Sequence, residues 1–406
     1  MPTPPAGPPQ GLLTPDLEMI RAYRLQRIRT QLAALDYAGI VLVDPINIRY
    51  ATDSRNMQVW SLHSPLRYCF IATEGPVVLF EFMRCLHLSR HLPLIDQVRP
   101  AQPWSYLATS ERVTECAAKW AAELVDLVQS QGGGNKRLAI DRCNPAGVWA
   151  LERLGIEIRD GEEVMELARS IKCAEEINAM RCAIRACEAA MQVMQSKLEP
   201  GITEQQLWAY LHSENIARGG EWIETRLLTS GPRTNPWYQE CSDRVIEAGD
   251  LVAFDTDLIG AYGVCVDISR TWLCGDTRPT QEQQQLYQLA YEQIGHNRNL
   301  LQAGKSFREV VEQAYALPPD YLPNRYSVLF HGVGLADEYP VLSYPEDWSS
   351  LGTDGILQPN MVVCVESYLG RVGGKEGVKL EEQILITEKG TEVLSSYPFE
   401  ASLLAR

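Results

Sequence analysis

Apolar and polar positions divide the chain into two stretches with different patterns. In roughly the first 165 residues, apolar runs of strand length alternate with amphipathic stretches of helix length. Strands are predicted at 39–43, 68–73, 76–82 and 137–141, and helices at 15–35 and 111–130. This alternation predicts an N-terminal α/β domain. The segment DPINIRY, residues 44–50, is predicted to be a turn.

The second stretch opens with a long helical pattern at 174–197 and a second helix from Thr203. Strand-like runs follow at 225–231, 249–259, 263–273, 326–334, 360–370, 377–387 and 391–395, and helices return at 281–301 and 307–315. The mixture indicates an α+β domain. We place the domains at 1–170 and 171–406, with the proline-rich residues 1–15 as a flexible arm.

Composition narrows the class of protein. The net charge of −15 argues against nucleic-acid binding, which requires a basic surface, and against binding to an anionic membrane surface. No apolar run reaches the length of a membrane helix, and the N-terminus lacks a secretory pattern. The 11 cysteines are scattered, with no C-x-x-C pair. We therefore expect a cytoplasmic protein without a disulfide framework.

Strand-like segments of the second stretch carry acidic residues where apolar ones are expected. These are Asp255, Asp257, Asp267, Glu366 and Glu381, and His331 follows the apolar run VLF. On a strand, Asp255 and Asp257 would point to the same face. Buried carboxylates are costly unless they are paired or bind a metal ion. Five carboxylates and one histidine suit two ions such as Mn, Fe, Co or Zn.

A structural alternative applies to each of these acids taken alone. A single acidic residue in a strand usually lies on a solvated face or at a sheet edge. Glu382, beside Glu381, is expected to be solvated or to support a ligand. A solvated or edge position becomes a weaker explanation for the full set, because several separate strands each carry an acidic residue within an apolar run.

The motifs around these residues resemble the pita-bread family of methionine aminopeptidase, Xaa-Pro peptidase and creatinase. The segments NIRYATD, PGITEQQL, DISRT, HGVGL and GVKLEEQILIT follow in the family's order. The resemblance implies a pita-bread catalytic domain behind a creatinase-like N-terminal domain. It also implies a homodimer and a two-metal site. It makes Asp267, His331, Glu366 and Glu381 metal ligands, with Asp267 and Glu381 bridging.

The sequence departs from the family's peptidases at two catalytic histidines. Asp337 lies where the second histidine after HGxG is expected, and Trp237-Tyr238 lies where a substrate-binding histidine is expected. Asp257 lies ten residues before Asp267, and Asp255 lies twelve residues before Asp267. Neither separation is the spacing found in the peptidases. One branch resembles the pattern throughout, the DddP-type dimethylsulfoniopropionate lyases. That resemblance adds Asp255 and Asp257 as ligands and Asp337 and Tyr326 as catalytic residues.

The implied reaction is a metal-assisted β-elimination of a zwitterion to dimethyl sulfide and acrylate. A metal centre would stabilise charge at the substrate carboxylate, and Asp337 would take the α-proton if desolvation raises its pKa. Aromatic faces attract sulfonium ions. The candidates are Trp237, Tyr238, Trp272 and Tyr326, with Trp60 contributed by the N-terminal domain. Plain core packing is the alternative for each aromatic residue.

Other functions remain open at the level of sequence. The same metal site could serve an Xaa-Pro dipeptidase or aminopeptidase, or a creatinase-like amidinohydrolase, although the missing histidines speak against both. A non-catalytic binding protein would have lost ligands, and none is lost here. The branch that the chain resembles implies iron, whereas an oxygen-rich site with one nitrogen also accommodates Mn, Zn or Co.

Overall fold

The structure is a computed structural model that describes residues 13–404. The predicted arm, residues 1–15, falls almost wholly outside this range. The chain forms two compact units. Asp16–Arg169 is one of them, and the chain from Ser170 onward, with the short segment before Asp16, is the other.

The N-terminal unit is built on a mixed six-stranded sheet. Its strands are β1 (Gly39–Leu42), β2 (Tyr68–Ala72), β3 (Val77–Glu81), β4 (Gln97–Pro100), β5 (Arg137–Ile140) and β6 (Glu157–Asp160). Its helices are α1 (Leu17–Ala34), α2 (Pro45–Thr52), α3 (Gln58–His63), α4 (Tyr106–Thr109), α5 (Val113–Gln131), α6 (Pro145–Arg153) and α7 (Gly161–Arg169). The strand order is β4-β3-β2-β1-β5-β6, with β1-β2 and β2-β3 antiparallel and the other pairs parallel. This sheet and its helices confirm the predicted α/β class.

The predicted turn after β1 is wrong, because residues 45–52 form helix α2. Asp44 accepts hydrogen bonds from the amides of Ile46 and Asn47, which caps the helix. Pro45 occupies the first helical turn, where its missing N–H costs nothing. The Asp-Pro pair that indicated a turn is therefore a helix start.

The C-terminal unit has long helices and three sheets. The helices are α8 (Ala174–Ser196), α9 (Glu204–Ala217), α10 (Gln281–Arg298), α11 (Phe307–Glu312) and α12 (Trp348–Leu351). The strands are β7 (Trp222–Ile223), β8 (Leu228–Ser230), β9 (Leu251–Phe254), β10 (Leu258–Ile259), β11 (Cys265–Val266), β12 (Arg270–Leu273), β13 (Phe330–Val333), β14 (Asp337–Leu342), β15 (Val362–Leu369), β16 (Val378–Thr387) and β17 (Gly390–Val393). They pair in the orders β11-β10-β7, β12-β9-β8 and β14-β13-β15-β16-β17, all antiparallel.

One face of the five-stranded sheet forms the main core of this unit. Val363 and Val365 on β15 and Leu380 and Ile384 on β16 belong to a buried apolar cluster. Leu286 and Ile294 of α10 are in the same cluster. Because side chains alternate along a strand, residues 364, 366 and 368 and residues 379, 381 and 383 point to the opposite face. That second face carries polar side chains inside the protein.

Two short irregular segments interrupt the paired strands next to this face. Residues 255–257 separate β9 from β10, and residues 267–269 separate β11 from β12. Thr256 ties the two segments together: its hydroxyl donates to the carbonyl of Val266 at 2.8 Å and accepts from the amide of Ile268 at 3.0 Å. The prediction of one continuous strand through Asp255 and Asp257 is wrong. The chain breaks here, and Asp257 has a left-handed backbone with φ 36°.

Two general properties follow from the described residues. None of the helices in the described range combines the length and the hydropathy that a membrane crossing requires. All 11 cysteines have free thiols.

Candidate metal and substrate site

Strand breaks and neighbouring strands of the C-terminal unit bring the six predicted metal-binding residues together. The first break supplies Asp255 and Asp257, and the second supplies Asp267. The adjacent strands β13, β15 and β16 supply His331, Glu366 and Glu381. Three overlapping groups of potential ligand atoms result, within each of which the atoms lie within 4.8 Å of one another. They are Asp255, Asp257 and Asp267; Asp255, Glu366 and Glu381; and Asp267, His331, Cys364 and Glu381.

The register of the five-stranded sheet determines this convergence. Glu366 lies directly opposite Glu381, and His331 lies directly opposite Cys364. A β-bulge between His331 and Gly332 breaks the pairing of β13 with β14 beside the histidine. Bulges of this kind redirect a side chain next to functional sites.

His331 turns one ring nitrogen toward the carboxylates. Its Nε2 lies 3.3 Å from Glu366 Oε1 and 3.6 Å from both Asp267 Oδ2 and Glu381 Oε1. Its Nδ1 lies 3.1 Å from the carbonyl oxygen of Gly332. Nδ1 therefore donates to that carbonyl, which leaves Nε2 as the atom that can bind a metal.

Several carboxylate oxygens in the cluster are buried without a hydrogen-bond partner. Asp255 Oδ1, Asp267 Oδ1 and Glu381 Oε1 accept no hydrogen bond within the described part of the protein. A buried oxygen of this kind is costly unless a cation or a donor satisfies it. Oxygen-rich sets with one imidazole suit hard or borderline divalent cations. The residues therefore form a candidate metal-binding cluster.

The cluster without metal ions holds protons that an isolated carboxylate would release. Burial and the neighbouring Asp255 raise the pKa of Asp257 to about 8. Burial and Glu381 raise the pKa of Glu366 to about 7, and the same two causes raise that of Asp267 far above its usual range. Burial also pushes the pKa of Glu381 upward, but Lys379 and His331 outweigh it and hold that pKa below its usual range. The cluster therefore has more carboxylates than the positive charges of Lys379 and His331 can neutralise.

Asp337 lies beside this cluster and differs from its members in exposure. Its side chain is 60% exposed, whereas the Glu366 and Glu381 side chains are fully buried. Its Oδ1 lies 3.7 Å from His331 Nδ1. Loss of hydration raises the pKa of Asp337, His331 lowers it, and the charge of Glu381 adds to the rise, with a net increase. Asp337 is thus an accessible acid at the margin of a buried charged cluster.

Aromatic side chains from two segments of the C-terminal unit, residues 237–238 and residue 326, pack together. Trp237 is 5% exposed and packs with Leu227, Ala253 and Tyr368, and Tyr326 packs against this cluster. Tyr238 stacks on Tyr326 with ring centroids 5.2 Å apart, and its hydroxyl bonds to that of Ser327 at 2.7 Å. The structure therefore brings three of the predicted aromatic residues together.

Comparison with known proteins identifies the family. The model of metallopeptidase family M24 matches residues 178–388. The chain belongs to metallopeptidase family M24. Within this family it is 44% identical over 401 residues to the dimethylsulfoniopropionate lyase DddP of Roseovarius nubinhibens, covering 98% of this chain and 90% of that protein. It is 43% identical over 395 residues to the DddP of Roseobacter denitrificans, covering 96% and 88%. The chain thus also belongs to the branch of these lyases.

Solved M24 structures share the fold of this chain. The Xaa-Pro dipeptidase of Bacillus anthracis superposes with a TM-score of 0.75 at 23% identity, covering 94% of this chain and 99% of that one. The prolidase of Pyrococcus horikoshii gives a TM-score of 0.73 at 20% identity, covering 93% and 99%. At these identities the similarity establishes the fold. It is the predicted pita-bread fold, preceded in the chain by an N-terminal domain.

Lys379 is a basic residue of this site that was not among the residues predicted from the sequence. Its buried ammonium nitrogen lies 2.7 Å from Glu366 Oε2, 2.9 Å from Asp255 Oδ2 and 3.1 Å from Glu381 Oε2. The same nitrogen lies 4.6 Å from the ring centre of Tyr326. A signal was present, because Lys379 precedes Glu381 by two residues and must share its face of β16.

Cys364 is a second unanticipated member of the M24 site. Cys364 stands in an apolar stretch of β15 and is fully buried. Its sulfur is nevertheless one of the potential ligand atoms grouped with Asp267, His331 and Glu381. It also lies 3.9 Å from the carbonyl oxygen of Asp267. Burial and the surrounding acids raise the pKa of this thiol well above its usual value.

Three residues differ from their predicted surroundings or lie in the other unit. Trp272 is 1% exposed and packs against Phe254 and Tyr397, on the strand face opposite Ala253 and Trp237, so the structure does not bring it together with the other predicted aromatic residues. Glu382 is buried and pairs with Arg270, so it is not solvated. Trp60 lies on α3 of the N-terminal unit, edge-on to Phe82, and its substrate contact stays a prediction.

Proposed function

We propose that this chain cleaves dimethylsulfoniopropionate to dimethyl sulfide and acrylate, using two metal ions. The observation that carries the proposal is the position of Asp337, an accessible carboxylate beside His331 at the margin of a buried acidic cluster. A proton acceptor of this kind is what a β-elimination requires. The two DddP relatives bear the name of this activity and match nearly the whole chain.

The metal ions would be held by the six residues that the sequence predicts as ligands, which are Asp255, Asp257, Asp267, His331, Glu366 and Glu381. Their support is the convergence of these side chains and the buried carboxylate oxygens without partners. When bound, the ions supply Lewis acidity that stabilises negative charge on the substrate carboxylate. We propose iron as the resident metal. Mn, Zn and Co suit the same donors and are distinguished by metal analysis.

Asp337 would take the proton from the carbon next to the substrate carboxylate. The electrons of that C–H bond form the new double bond, and the C–S pair leaves with sulfur as dimethyl sulfide. The proton stays on Asp337 until it is released to solvent, which the exposure of this side chain permits. A raised pKa fits Asp337 for this task, because a base works best when its pKa approaches the working pH.

The sulfonium group would lie against aromatic faces near the cluster. Trp237, Tyr238 and Tyr326 are the residues of this unit that support the proposal. Each aromatic face contributes roughly 0.5–2 kcal/mol to the binding of a cation. Trp60 is retained as a proposed contact from the N-terminal unit.

The setting of the protein is also part of the proposal. We propose a homodimer, as the family resemblance implies, and a cytoplasmic location. Eleven free cysteines suit a reducing compartment. The substrate is a small zwitterion, and the net charge of −15 gives no support for a nucleic-acid or membrane partner.

Headspace dimethyl sulfide from the purified, metal-analysed chain tests the proposal. The chain is supplied with dimethylsulfoniopropionate, and a Gly-Pro dipeptide and creatine serve as alternative substrates. We expect dimethyl sulfide and acrylate in equal amounts from the wild type. Asp337→Asn should lose at least about 10²-fold in rate, because a positioned base contributes about that much or more.

Asp354→Asn is the matched control, because Asp354 is an 84% exposed aspartate of the same unit and meets Arg308 only at 3.8 Å. It should retain wild-type activity and metal content. Cleavage of the dipeptide or of creatine without dimethyl sulfide would reject the lyase and return the chain to the hydrolases of family M24. Full activity of Asp337→Asn would reject Asp337 as the base.

A further inference from the structure

One buried carboxylate holds both ends of the segment that carries Trp237 and Tyr238. We call residues 231–241 the aromatic loop. Glu204 Oε1 accepts hydrogen bonds from the amide and hydroxyl of Ser230, both at 2.8 Å, just before the loop. Glu204 Oε2 accepts from the amide of Ser242 at 2.9 Å and from its hydroxyl at 2.7 Å, just after the loop. Each carboxylate oxygen of Glu204 therefore holds one end of the aromatic loop by two hydrogen bonds.

The start of α9 fixes Glu204 against the segment that follows the loop. The amide of Glu204 donates to the carbonyl of Arg244 at 3.1 Å, and that of Gln205 donates to the carbonyl of Ser242 at 3.0 Å. The side chain of Thr203 caps the same helix. The first amides of a helix have no partner within the helix, and here the chain after the loop satisfies them. Glu204 is fully buried, so water does not replace these bonds.

Arg233 connects Glu204 to the inside of the loop. Its guanidinium donates to Glu204 Oε2 and, at 2.9 Å, to the carbonyl of Glu240. The side-chain amide of Gln239 donates to the carbonyl of Arg233 at 3.0 Å. The two limbs of the loop are thus cross-linked beside the carboxylate of Glu204.

The middle of the loop presents its aromatic residues in a constrained geometry. Tyr238 has a left-handed backbone with φ 69°, which costs energy in a residue other than glycine. Its ring stacks on Tyr326, and Trp237 packs near Tyr368 with ring centroids 6.0 Å apart. A constrained conformation persists only while the surrounding structure holds it.

We propose that Glu204 is a positioning residue for substrate, acting through the aromatic loop on the sulfonium group. This inference rests on the proposed function for its choice of substrate. In the described part of the chain, no hydrogen bond or ion pair joins Glu204 to any of the six candidate metal ligands, so its effect should fall on substrate binding. Breaking its bonds at either end would let Trp237 and Tyr238 leave the positions in which their faces attract a cation.

Glu204→Gln is the first test, because it preserves shape and removes one acceptor. The new amide group would place a donor against the donors of Ser230 or Ser242, so one end of the loop would open. We expect KM for dimethylsulfoniopropionate to rise about tenfold, with kcat within about twofold and unchanged metal content. Hydrogen exchange of residues 231–241 should accelerate.

Glu188→Gln is the matched control. Glu188 is also a buried glutamate of this unit, and it accepts from the hydroxyl of Ser396 at 2.9 Å and from Arg185 at 3.1 Å. It holds a C-terminal segment that carries none of the predicted substrate contacts. Its variant should lose stability to a similar degree while KM stays at the wild-type value.

A double-variant cycle separates positioning from general damage. In the Trp237→Leu background, Glu204→Gln should raise KM further by less than about twofold, because its effect passes through the loop. Additive effects on KM, or a kcat loss without a KM change, would overturn the inference. If Glu204→Gln does not fold, Ser242→Ala removes the hydroxyl bond at one end, keeps the amide bond there, and carries the same cycle.

The test also distinguishes failure of the inference from failure of the proposed function. A wild-type chain that releases no dimethyl sulfide rejects the function, and hydrogen exchange then still decides whether Glu204 holds the loop. Unchanged exchange of residues 231–241 in Glu204→Gln would overturn the inference even in a fully active lyase.

Discussion

Glu366 on β15 lies directly opposite Glu381 on β16, and the ammonium group of Lys379 reaches both carboxylates at 2.7 and 3.1 Å. Like charges placed opposite each other on neighbouring strands repel. Here both are fully buried, so the repulsion is poorly screened. Lys379 supplies one positive charge against five carboxylates of the candidate cluster. The remaining negative charge makes cation binding favourable.

Lys379→Met should destabilise the metal-free protein much more than the metal-loaded protein. Removing one partner of a buried ion pair costs about 3–5 kcal/mol, and bound metal ions would replace part of the lost charge. Urea unfolding with a chelator and with saturating metal measures both values. Lys375→Met, at an exposed lysine of the same segment, is the control and should change neither. Equal losses with and without metal would mean that Lys379 does not compensate the ligand charges.

Glu381→Ala should remove more metal than Asp257→Ala. Glu381 belongs to two of the three groups of potential ligand atoms, whereas Asp257 belongs to one. A bridging ligand serves both ions, so its loss weakens both sites, while Asp257→Ala should retain roughly one ion per chain. Metal analysis after extensive dialysis gives the stoichiometry. Equal stoichiometry in the two variants would remove the bridging role of Glu381.

The stability of the metal-free protein should fall as the pH rises from about 6 to about 8.5. The pKa values of Glu366 and Asp257 in the folded state are raised to about 7 and about 8 from their usual 4.5 and 3.8. The folded state therefore binds more protons than the unfolded state in this range, and the resulting stability is lost as pH passes through the raised values. Thermal unfolding at a series of pH values, with a chelator, follows the loss.

Asp257→Asn supplies the control for this pH dependence. The variant lacks one of the two titrating groups, so its midpoint should decline less steeply with pH. Saturating metal should flatten the wild-type curve, because metal binding requires deprotonated ligands and gains with pH. A metal-free midpoint that rises toward pH 8.5 would contradict the raised pKa values.

The sequence revealed the acidic residues of the site because they interrupt apolar runs. Glu366 interrupts the apolar run of β15, Glu381 stands in β16 among both apolar and polar residues, and the register of the two strands places the glutamates opposite each other. Asp255 and Asp257 also meet the cluster, but through a break in the strand rather than through alternation. No local signal reports such a break, because it depends on Thr256 bonding to the neighbouring segment.

Long-range packing explains what the sequence could not show. Trp272 and Trp237 are both tryptophans of the same half, and only the pairing of β12 with β9 places them on opposite faces. In the sequence Lys379 resembles any other lysine in a strand, and only the folded chain places three carboxylates around its ammonium group. The helix at Pro45 was hidden because Asp-Pro starts both turns and helices.

Tyr326→Phe should separate the hydroxyl of Tyr326 from its ring. Burial and the acids Glu366 and Asp255 raise the pKa of Tyr326 well above its usual value, so its hydroxyl stays protonated at working pH and can donate a hydrogen bond to developing negative charge. The ring, stacked on Tyr238, is retained in the variant. We therefore expect kcat to fall about 10²-fold, as for loss of a positioned donor, while KM stays within about threefold. Tyr238→Phe, which loses only the two hydrogen bonds of its hydroxyl with the side chain and the amide of Ser327, should change KM more than kcat. Steady-state dimethyl sulfide release gives both constants, and a raised KM with unchanged kcat in Tyr326→Phe would leave Tyr326 with a role in the sulfonium pocket alone and none as a hydrogen-bond donor.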